Sequence, residues 1–102
     1  MKPFVVSPNA ADDLNDIWRY LAEEANPDVA DRTLQRLVRS FAELAETPGM
    51  GHRRTDLIRL PLHFLFLEPY LVVYERDRSP LPIHAVLHGA RDLRKILRDR
   101  PR

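Results

Sequence analysis

Two stretches in the first half of the chain place apolar residues at helical spacing. The first stretch runs to about residue 25, and its apolar positions are Leu14, Ile17, Trp18 and Leu21. They follow the i, i+3, i+4, i+7 pattern of an amphipathic helix, so we expect Trp18 to lie in the core. Ser7-Pro8 predicts where this helix begins, because a serine hydroxyl caps free amides and proline suits the first helical position.

Asn26-Pro27 repeats the same start signal and predicts a second helix. Pro48-Gly49 ends this helix, and only one or two residues separate it from the first, so the two helices should form an antiparallel hairpin. The long apolar face of the second helix consists of Ala30, Leu34, Leu37, Val38, Phe41, Leu44 and Ala45.

The second half of the chain changes from helical to strand patterns. Residues 57–66 predict a strand, in which Pro61 indicates an edge or a bulge. Leu71–Tyr74 is continuously apolar, as expected for a central strand that is covered on both faces or shielded by a partner. Residues 82–88 predict the last strand, and residues 2–7 predict a further strand ahead of the first helix.

The order β-α-α-β-β-β predicts an α+β fold, with the helical hairpin packed on one small, mainly antiparallel sheet and a short basic helix at the C-terminal end. At 102 residues, we expect a single domain over residues 1–102 with its own core.

The chain has no cysteine, which favours a reducing compartment and predicts a cytoplasmic protein. No leader pattern precedes the first strand, and no apolar run approaches the roughly 18 residues of a membrane span.

Charge is distributed unevenly between the two halves of the chain. Residues 1–50 hold 5 basic and 9 acidic side chains, a net charge of −4, whereas residues 51–102 hold 11 and 6, a net charge of +5. Fourteen of the sixteen cations are arginine. The planar guanidinium suits carboxylates and phosphates, so the second half favours an acidic partner or nucleic acid, although a genome rich in arginine codons would give the same composition.

The usual catalytic patterns are missing from the sequence. His84 and His88 are four residues apart, but on a strand this separation spans roughly 13 Å, too far for one shared metal ion. There is no serine-nucleophile elbow and no glycine-rich phosphate loop, and no cofactor is implied. A cluster of acidic residues early in the first helix is interpreted as favourable charge near a helix N-terminus: Asp12, Asp13 and Asp16.

Phosphodiester cleavage by side chains alone remains open. A metal-free ribonuclease needs a base, cations for the developing phosphate charge and a proton donor. The candidates for these roles are His88, Arg91, Arg59 and Tyr74. An arginine-rich chain of this length offers such a set in any case, so the pattern is weakly specific.

Five short motifs together resemble the RelE/ParE toxin superfamily, and within it the ParE branch. The last of them is a strand that breaks at Gly89 and turns at once into a basic segment. The motifs follow one another in the family's order along nearly the whole chain. They are Leu-x-x-Ile-Trp-x-Tyr-Leu at 14–21, Asn-Pro-x-x-Ala-x-Arg at 26–32, Pro-x-x-Gly at 48–51, Leu-Val-Val-Tyr at 71–74 and His-Gly-Ala-Arg-Asp-Leu at 88–93.

The resemblance implies a toxin of a type II toxin–antitoxin module that traps the cleaved DNA complex of DNA gyrase. It also implies a ParD-like antitoxin, through which alone operator DNA would be contacted. We expect contact with the target at Arg91, Arg94, His88 and Arg59. Strand addition at an exposed edge would place antitoxin contacts at Leu57, Arg59, Phe64 and Phe66, and a groove between the two helices would take an antitoxin helix.

Two alternatives stay open at this point. RelE-like members cleave messenger RNA on the ribosome and generally have an aromatic residue or histidine near the C-terminal end, whereas this chain has no tyrosine after Tyr74. The other alternative is a non-toxic module that only binds its antitoxin. Arg91 also has a purely structural interpretation, since it could pair with Asp92 or Glu75.

Overall fold

The computed structural model describes residues 3–53 and 61–89. Within these ranges the chain forms two helices, five strands and a single 3₁₀ turn at Pro48–Met50. The helices are α1 (Pro8–Glu24) and α2 (Pro27–Glu46). The strands are β1 (Phe4–Val6), β2 (His52–Arg53), β3 (His63–Leu67), β4 (Tyr70–Tyr74) and β5 (Leu81–His88).

Both helices begin at the predicted caps. The Ser7 hydroxyl accepts a hydrogen bond from the Ala10 amide at 3.1 Å, and the Asn26 side-chain oxygen accepts one from the Val29 amide at 2.9 Å. In each case proline follows the cap as the first helical residue. Local sequence therefore fixes both helix starts, because the cap and the proline act on the same free amides.

The strands form one sheet in the order β1-β5-β4-β3-β2. β5 pairs antiparallel with β4, β4 with β3, and β3 with β2, whereas β1 pairs parallel with β5. This arrangement confirms the predicted α+β fold, including the N-terminal strand, the helical hairpin and the mainly antiparallel sheet. The predicted basic helix at the C-terminal end lies outside the described residues.

β4 is central, as its continuous apolar run predicts, and its side chains are buried on both faces. On the face toward the helices, Val72 and Tyr74 pack with residues of α1 and α2, among them Leu37 and Phe41. On the opposite face, Val73 belongs to a second buried cluster, whose other members are Leu62, Phe64, Ala85 and Leu87.

The strand predicted over residues 57–66 begins later than its pattern indicates. β3 starts at His63, after Pro61, because proline has no amide hydrogen to donate to a ladder. The bulge lies in β5 instead: Val73 pairs with Ala85 and Tyr74 with Ile83, which leaves His84 as an extra residue. Neither β2 nor the 3₁₀ turn was expected from the pattern of apolar residues.

Trp18 does not lie in the core, where its position in the helical pattern predicts it. Its side chain is half-buried at the seam between the two helices, and its indole N–H donates to Asp31 Oδ1 at 2.8 Å. A tryptophan with a polar edge prefers a site where that edge reaches a partner, which α2 supplies. In the part of the chain that the structure describes, neither helix is long and apolar enough to cross a membrane.

Candidate binding and target-contact sites

His88 ends β5 beside the first residue of β4. It lies directly opposite Tyr70 in the ladder, and the two rings meet edge to face with centroids 6.1 Å apart and an interplanar angle of 87°. Tyr70 is buried, and this burial raises the pKa of its phenol above 10.0, an effect that the nearby Arg36 guanidinium partly offsets and that Tyr20 reinforces. His88 is exposed, so the candidate residue is available to a partner at the surface.

A cavity of about 310 Å³ opens next to this ring pair, between α1 and the sheet. Residues of α1 form one wall and the β4–β5 ends form the other. Its lining combines carboxylates, aromatic rings and aliphatic side chains: Asp13, Asp16, Ile17, Tyr20, Leu21, Pro69, Tyr70, Val86 and His88. The sequence patterns did not predict this cavity, because its two walls are far apart in the chain.

Asp13 is the member of this lining whose role the sequence interpretation missed. Its carboxylate is buried, at 8 % exposure, and Oδ2 accepts a hydrogen bond from the Val86 amide at 2.9 Å. Val86 lies beyond the three β5 residues that pair with β1, so α1 supplies an acceptor where the parallel ladder has ended. Asp13 lies in the second turn of α1, where the helix dipole contributes little. Its hydrogen bond to β5 therefore explains the carboxylate at this position better than the helix dipole does.

Tyr74 is the last residue of β4, at the opposite end of the strand from Tyr70. Its hydroxyl donates to the Pro48 carbonyl at 2.6 Å and accepts from the Gly51 amide at 3.0 Å, and no part of the residue is exposed. Burial raises the pKa of this phenol above 10.0, while the Gly51 amide and the Arg76 charge partly offset that rise. These contacts give Tyr74 a structural role in holding the 3₁₀ turn against the sheet.

The structure does not bring together the described members of the candidate nuclease set. Tyr74 pairs with Ile83, and His88 pairs with Tyr70, so the two residues lie at opposite ends of the β4–β5 hairpin. Four strand positions separate them, or roughly 13 Å along the sheet. The remaining candidates for catalysis and target contact, Arg59, Arg91 and Arg94, lie outside the described residues.

His84, the bulged residue, forms a small polar cluster near the β4–β5 turn. Its Nε2 lies 2.8 Å from Glu75 Oε1, and Arg78 Nη1 lies 3.6 Å from the other oxygen of the same carboxylate. His84 and His88 occupy the same strand, as predicted. Within residues 3–53 and 61–89, no group of three or more metal-binding side chains comes together.

The candidate antitoxin contacts differ in exposure. Phe64 is 4 % exposed and packs in the second cluster, whereas Phe66, two residues further along β3, is 60 % exposed. β2 pairs with His63 and Phe64, and in the described part of the chain it does not extend along the rest of β3. Leu57 and Arg59 lie outside the described residues. The structure therefore describes the expected antitoxin-contact surface only along β3.

A family model shows the family of this chain, and a solved structure shows its fold. A family model described as ParE toxin of type II toxin–antitoxin system, parDE, matches residues 4–93. A solved structure titled as the chromosomal ParDE toxin–antitoxin system from P. aeruginosa superposes with a TM-score of 0.72 at 20 % identity. The superposition covers 86 % of this chain and 96 % of that one, which supports the fold. The comparison with curated proteins finds no match.

Proposed function

We propose, since this chain belongs to the ParE toxin family of type II toxin–antitoxin systems, that it inhibits growth by trapping the cleaved DNA complex of DNA gyrase. The observation that carries the proposal is the family match over residues 4–93, which includes the end of β5 and Arg91 and stops one residue before Arg94. In this proposal the toxin is a protein inhibitor rather than an enzyme, and the target contacts are His88, Arg59, Arg91 and Arg94.

The placement of the described candidates supports inhibition without catalysis. A metal-free ribonuclease needs its base and its proton donor on opposite sides of one phosphate, within hydrogen-bond reach. His88 and Tyr74 face different ends of the hairpin, and the Tyr74 hydroxyl is already bonded to Pro48 and Gly51. His88, by contrast, is exposed and closely precedes the basic segment in sequence, which suits a binding contact.

The direct test uses purified gyrase, ATP and supercoiled plasmid, with the reaction stopped by detergent and protease. We expect linear plasmid to accumulate in proportion to the added toxin. Arg91→Ala and Arg94→Ala should each reduce the linear product, whereas Arg32→Ala, at an exposed arginine of α2, serves as the matched control and should not. Folding of every variant is checked by circular dichroism.

Unchanged supercoiling without linear product would contradict the gyrase proposal. Messenger RNA cleavage on ribosomes would then be measured for the wild type and for His88→Ala, since loss of cleavage in a folded variant would identify a RelE-like nuclease. Normal growth on induction, together with tight binding of the antitoxin, would instead identify a non-toxic binding module.

We further propose that a ParD-like antitoxin neutralises the toxin by adding a strand along β3. The exposed Phe66 and the short reach of β2 along β3 support this site, because an extended peptide gains main-chain hydrogen bonds at a sheet edge and side-chain contacts beside it. Phe64 is less suited to direct contact, since its side chain is buried and its backbone pairs with β2 and β4. The net positive charge of residues 51–102 suits an acidic antitoxin segment.

Substitutions on β3 and on β1, the edge strand at the other side of the sheet, test this contact. Phe66→Glu should weaken antitoxin binding by at least about tenfold, because it removes an aromatic contact and adds charge that opposes an acidic segment. Val5→Glu is the matched control, since Val5 is an exposed strand residue at the opposite edge. Equal affinity of the two variants for the antitoxin, measured by calorimetry, would exclude β3 as the strand to which the antitoxin binds.

A further inference from the structure

The cavity between α1 and the β4–β5 ends has the size and lining of a binding site. Its volume of about 310 Å³ lies at the lower end of the range for small-ligand pockets, about 300–1,000 Å³. We propose that this cavity binds the guanidinium group of an arginine side chain presented by a partner protein. The proposal concerns a different surface from the β3 edge and does not rest on the proposed toxic activity.

Two tyrosine rings provide the aromatic part of the cavity. Tyr70 is buried and held edge to face against His88, whereas Tyr20 is 64 % exposed on α1 at the opening. The negative face of an aromatic ring attracts a cation within about 6 Å of its centroid. A guanidinium is planar and stacks on such faces, which favours arginine over the compact, strongly hydrated ammonium of lysine.

Two carboxylates of α1 give the cavity its charge. Asp13 is buried and oriented by the Val86 amide, and Asp16 is exposed at the same wall. Arg36 is near Tyr70, but its guanidinium donates to the Glu68 carbonyl at 3.3 Å, outside the cavity lining. The lining therefore carries two negative charges and no lysine or arginine, so it is complementary to a cation.

Aliphatic side chains complete the walls. Ile17, Leu21 and Val86 offer the apolar surface that the methylene stem of an arginine covers when its charged head reaches a polar group. A purely apolar occupant would cover the exposed Asp16 carboxylate without pairing it, which is unfavourable. A cation on an apolar stem therefore satisfies both parts of the lining.

The probe for this site is N-acetyl-L-arginine amide, titrated into the full chain and followed by two-dimensional ¹H–¹⁵N NMR. We expect saturable shifts at residues of α1 and of the β4–β5 ends. N-acetyl-L-citrulline amide has almost the same shape without the charge and should not produce them. N-acetyl-L-lysine amide should bind more weakly than the arginine probe.

Two pairs of variants distinguish probe binding in this cavity from nonspecific binding to the protein. Asp16→Asn should weaken probe binding about two- to fivefold, while Asp12→Asn, an exposed carboxylate on the same helix outside the lining, should leave it unchanged. Tyr20→Leu should weaken binding about two- to fivefold, while Tyr20→Phe, which keeps the ring, should bind like the wild type. All four changes are at exposed positions, so each variant should fold.

Three outcomes would overturn the inference. Equal shifts with the citrulline probe would show that charge is not recognised. Equal loss in Asp12→Asn and Asp16→Asn would show nonspecific attraction to an acidic helix. Shifts at the same residues on simple dilution of the chain, without probe, would show that the occupant comes from a second copy of this chain rather than from a different partner.

Discussion

At Gly51 the backbone lies directly against two oxygen atoms of the sheet. A Cβ at this position would stand 2.5 Å from Tyr74 Oη and 2.7 Å from the Phe64 carbonyl oxygen. The second of these is the carbonyl oxygen of a residue that pairs with both β2 and β4, so it cannot move aside easily. Glycine is therefore required here by close approach and not by an unusual backbone angle.

Gly51→Ala should lower the free energy of unfolding by about 1–3 kcal/mol, because the added methyl group must displace the tyrosine hydroxyl or the strand backbone. Urea denaturation followed by circular dichroism measures the change. Gly49→Ala is the matched control, since its Cβ would lie 3.8 Å from the nearest atom, in the flexible Arg76 side chain. Equal stability of the two variants would contradict the close contact at Gly51.

Tyr74 should make stability sensitive to alkaline pH. Burial raises the pKa of its phenol above 10.0 in the folded state, so the folded chain holds a proton that the unfolded chain releases at about pH 10. The contribution to stability is thus complete below pH 10 and is lost as the pH rises through the higher folded pKa. Tyr70 shifts in the same direction and adds to the effect.

Tyr74→Phe should weaken this alkaline dependence and also lower stability at pH 7 by about 1–3 kcal/mol, because the Pro48 carbonyl and the Gly51 amide lose their partner. Denaturation curves at pH 7, 10 and 11 measure both effects. Tyr20→Phe, at an exposed tyrosine, controls for the loss of a phenol. A variant with the same pH dependence as the wild type would show that Tyr74 does not cause it.

Residue roles that depend on distant contacts were the hardest to predict from sequence. Asp13 looks like one of several acidic residues near a helix start, yet its hydrogen bond joins it to Val86, 73 positions away. Tyr74 has a residue type that suits catalysis, but burial and two backbone partners give it a structural role. His88 was singled out from its position at a strand end, and the structure places it at the surface there.

At the scale of elements, the two helix caps are similar in sequence but differ in their contacts. Asn26 caps α2 with one hydrogen bond. Ser7 caps α1, and its hydroxyl also donates at 3.1 Å to the carbonyl of His84, the bulged residue of β5. Ser7 thus connects the start of α1 to β5, in addition to accepting a hydrogen bond from a free amide in the first turn of α1.

Ser7→Ala should therefore cost more stability than Asn26→Ala. Loss of a cap alone costs about 1 kcal/mol, and the Ser7 variant additionally leaves the His84 carbonyl without this donor. Thermal or urea denaturation of the two variants gives the comparison. A larger loss for Asn26→Ala would indicate that the Ser7–His84 hydrogen bond contributes nothing to stability.

Elements were predictable where their signals are local. Both helix starts follow from adjacent cap and proline residues, and both helix ends lie within about two residues of the prediction, as helix ends usually do. The start of β3, the short β2 and the bulge at His84 depend on pairing with other strands. Such pairing is decided by the whole sheet, so a pattern along one segment does not reveal it.

At the scale of the whole molecule, the sheet is buried on both faces along β4. Val72 and Val73 are adjacent in sequence, belong to opposite clusters and are each fully buried. The helical hairpin packs against the face of Val72. The face of Val73 holds a cluster that consists, in the described residues, of strand side chains and of Leu62, which precedes β3.

Val72→Ala and Val73→Ala should destabilise the protein by similar amounts, about 2 kcal/mol each, since each removes two buried carbon groups at about 0.8 kcal/mol apiece and leaves a small cavity. Val38→Ala is the matched control, because Val38 is 43 % exposed on α2. Denaturation midpoints measure the three effects. If Val73→Ala resembled Val38→Ala, the second face would be open to water in solution.

The parallel pairing of β1 with β5 joins the two ends of the described chain, with Phe4 opposite Leu81. During synthesis on the ribosome, β1 therefore has no neighbouring strand until translation has passed Leu81 to Ile83. α1 depends on β5 in the same way, through Ser7 and Asp13. Contacts between such distant segments close late and slow the folding reaction. A translation product that stops before Leu81 would lack the strand on which β1 and α1 assemble, so prematurely terminated copies are expected to remain unfolded.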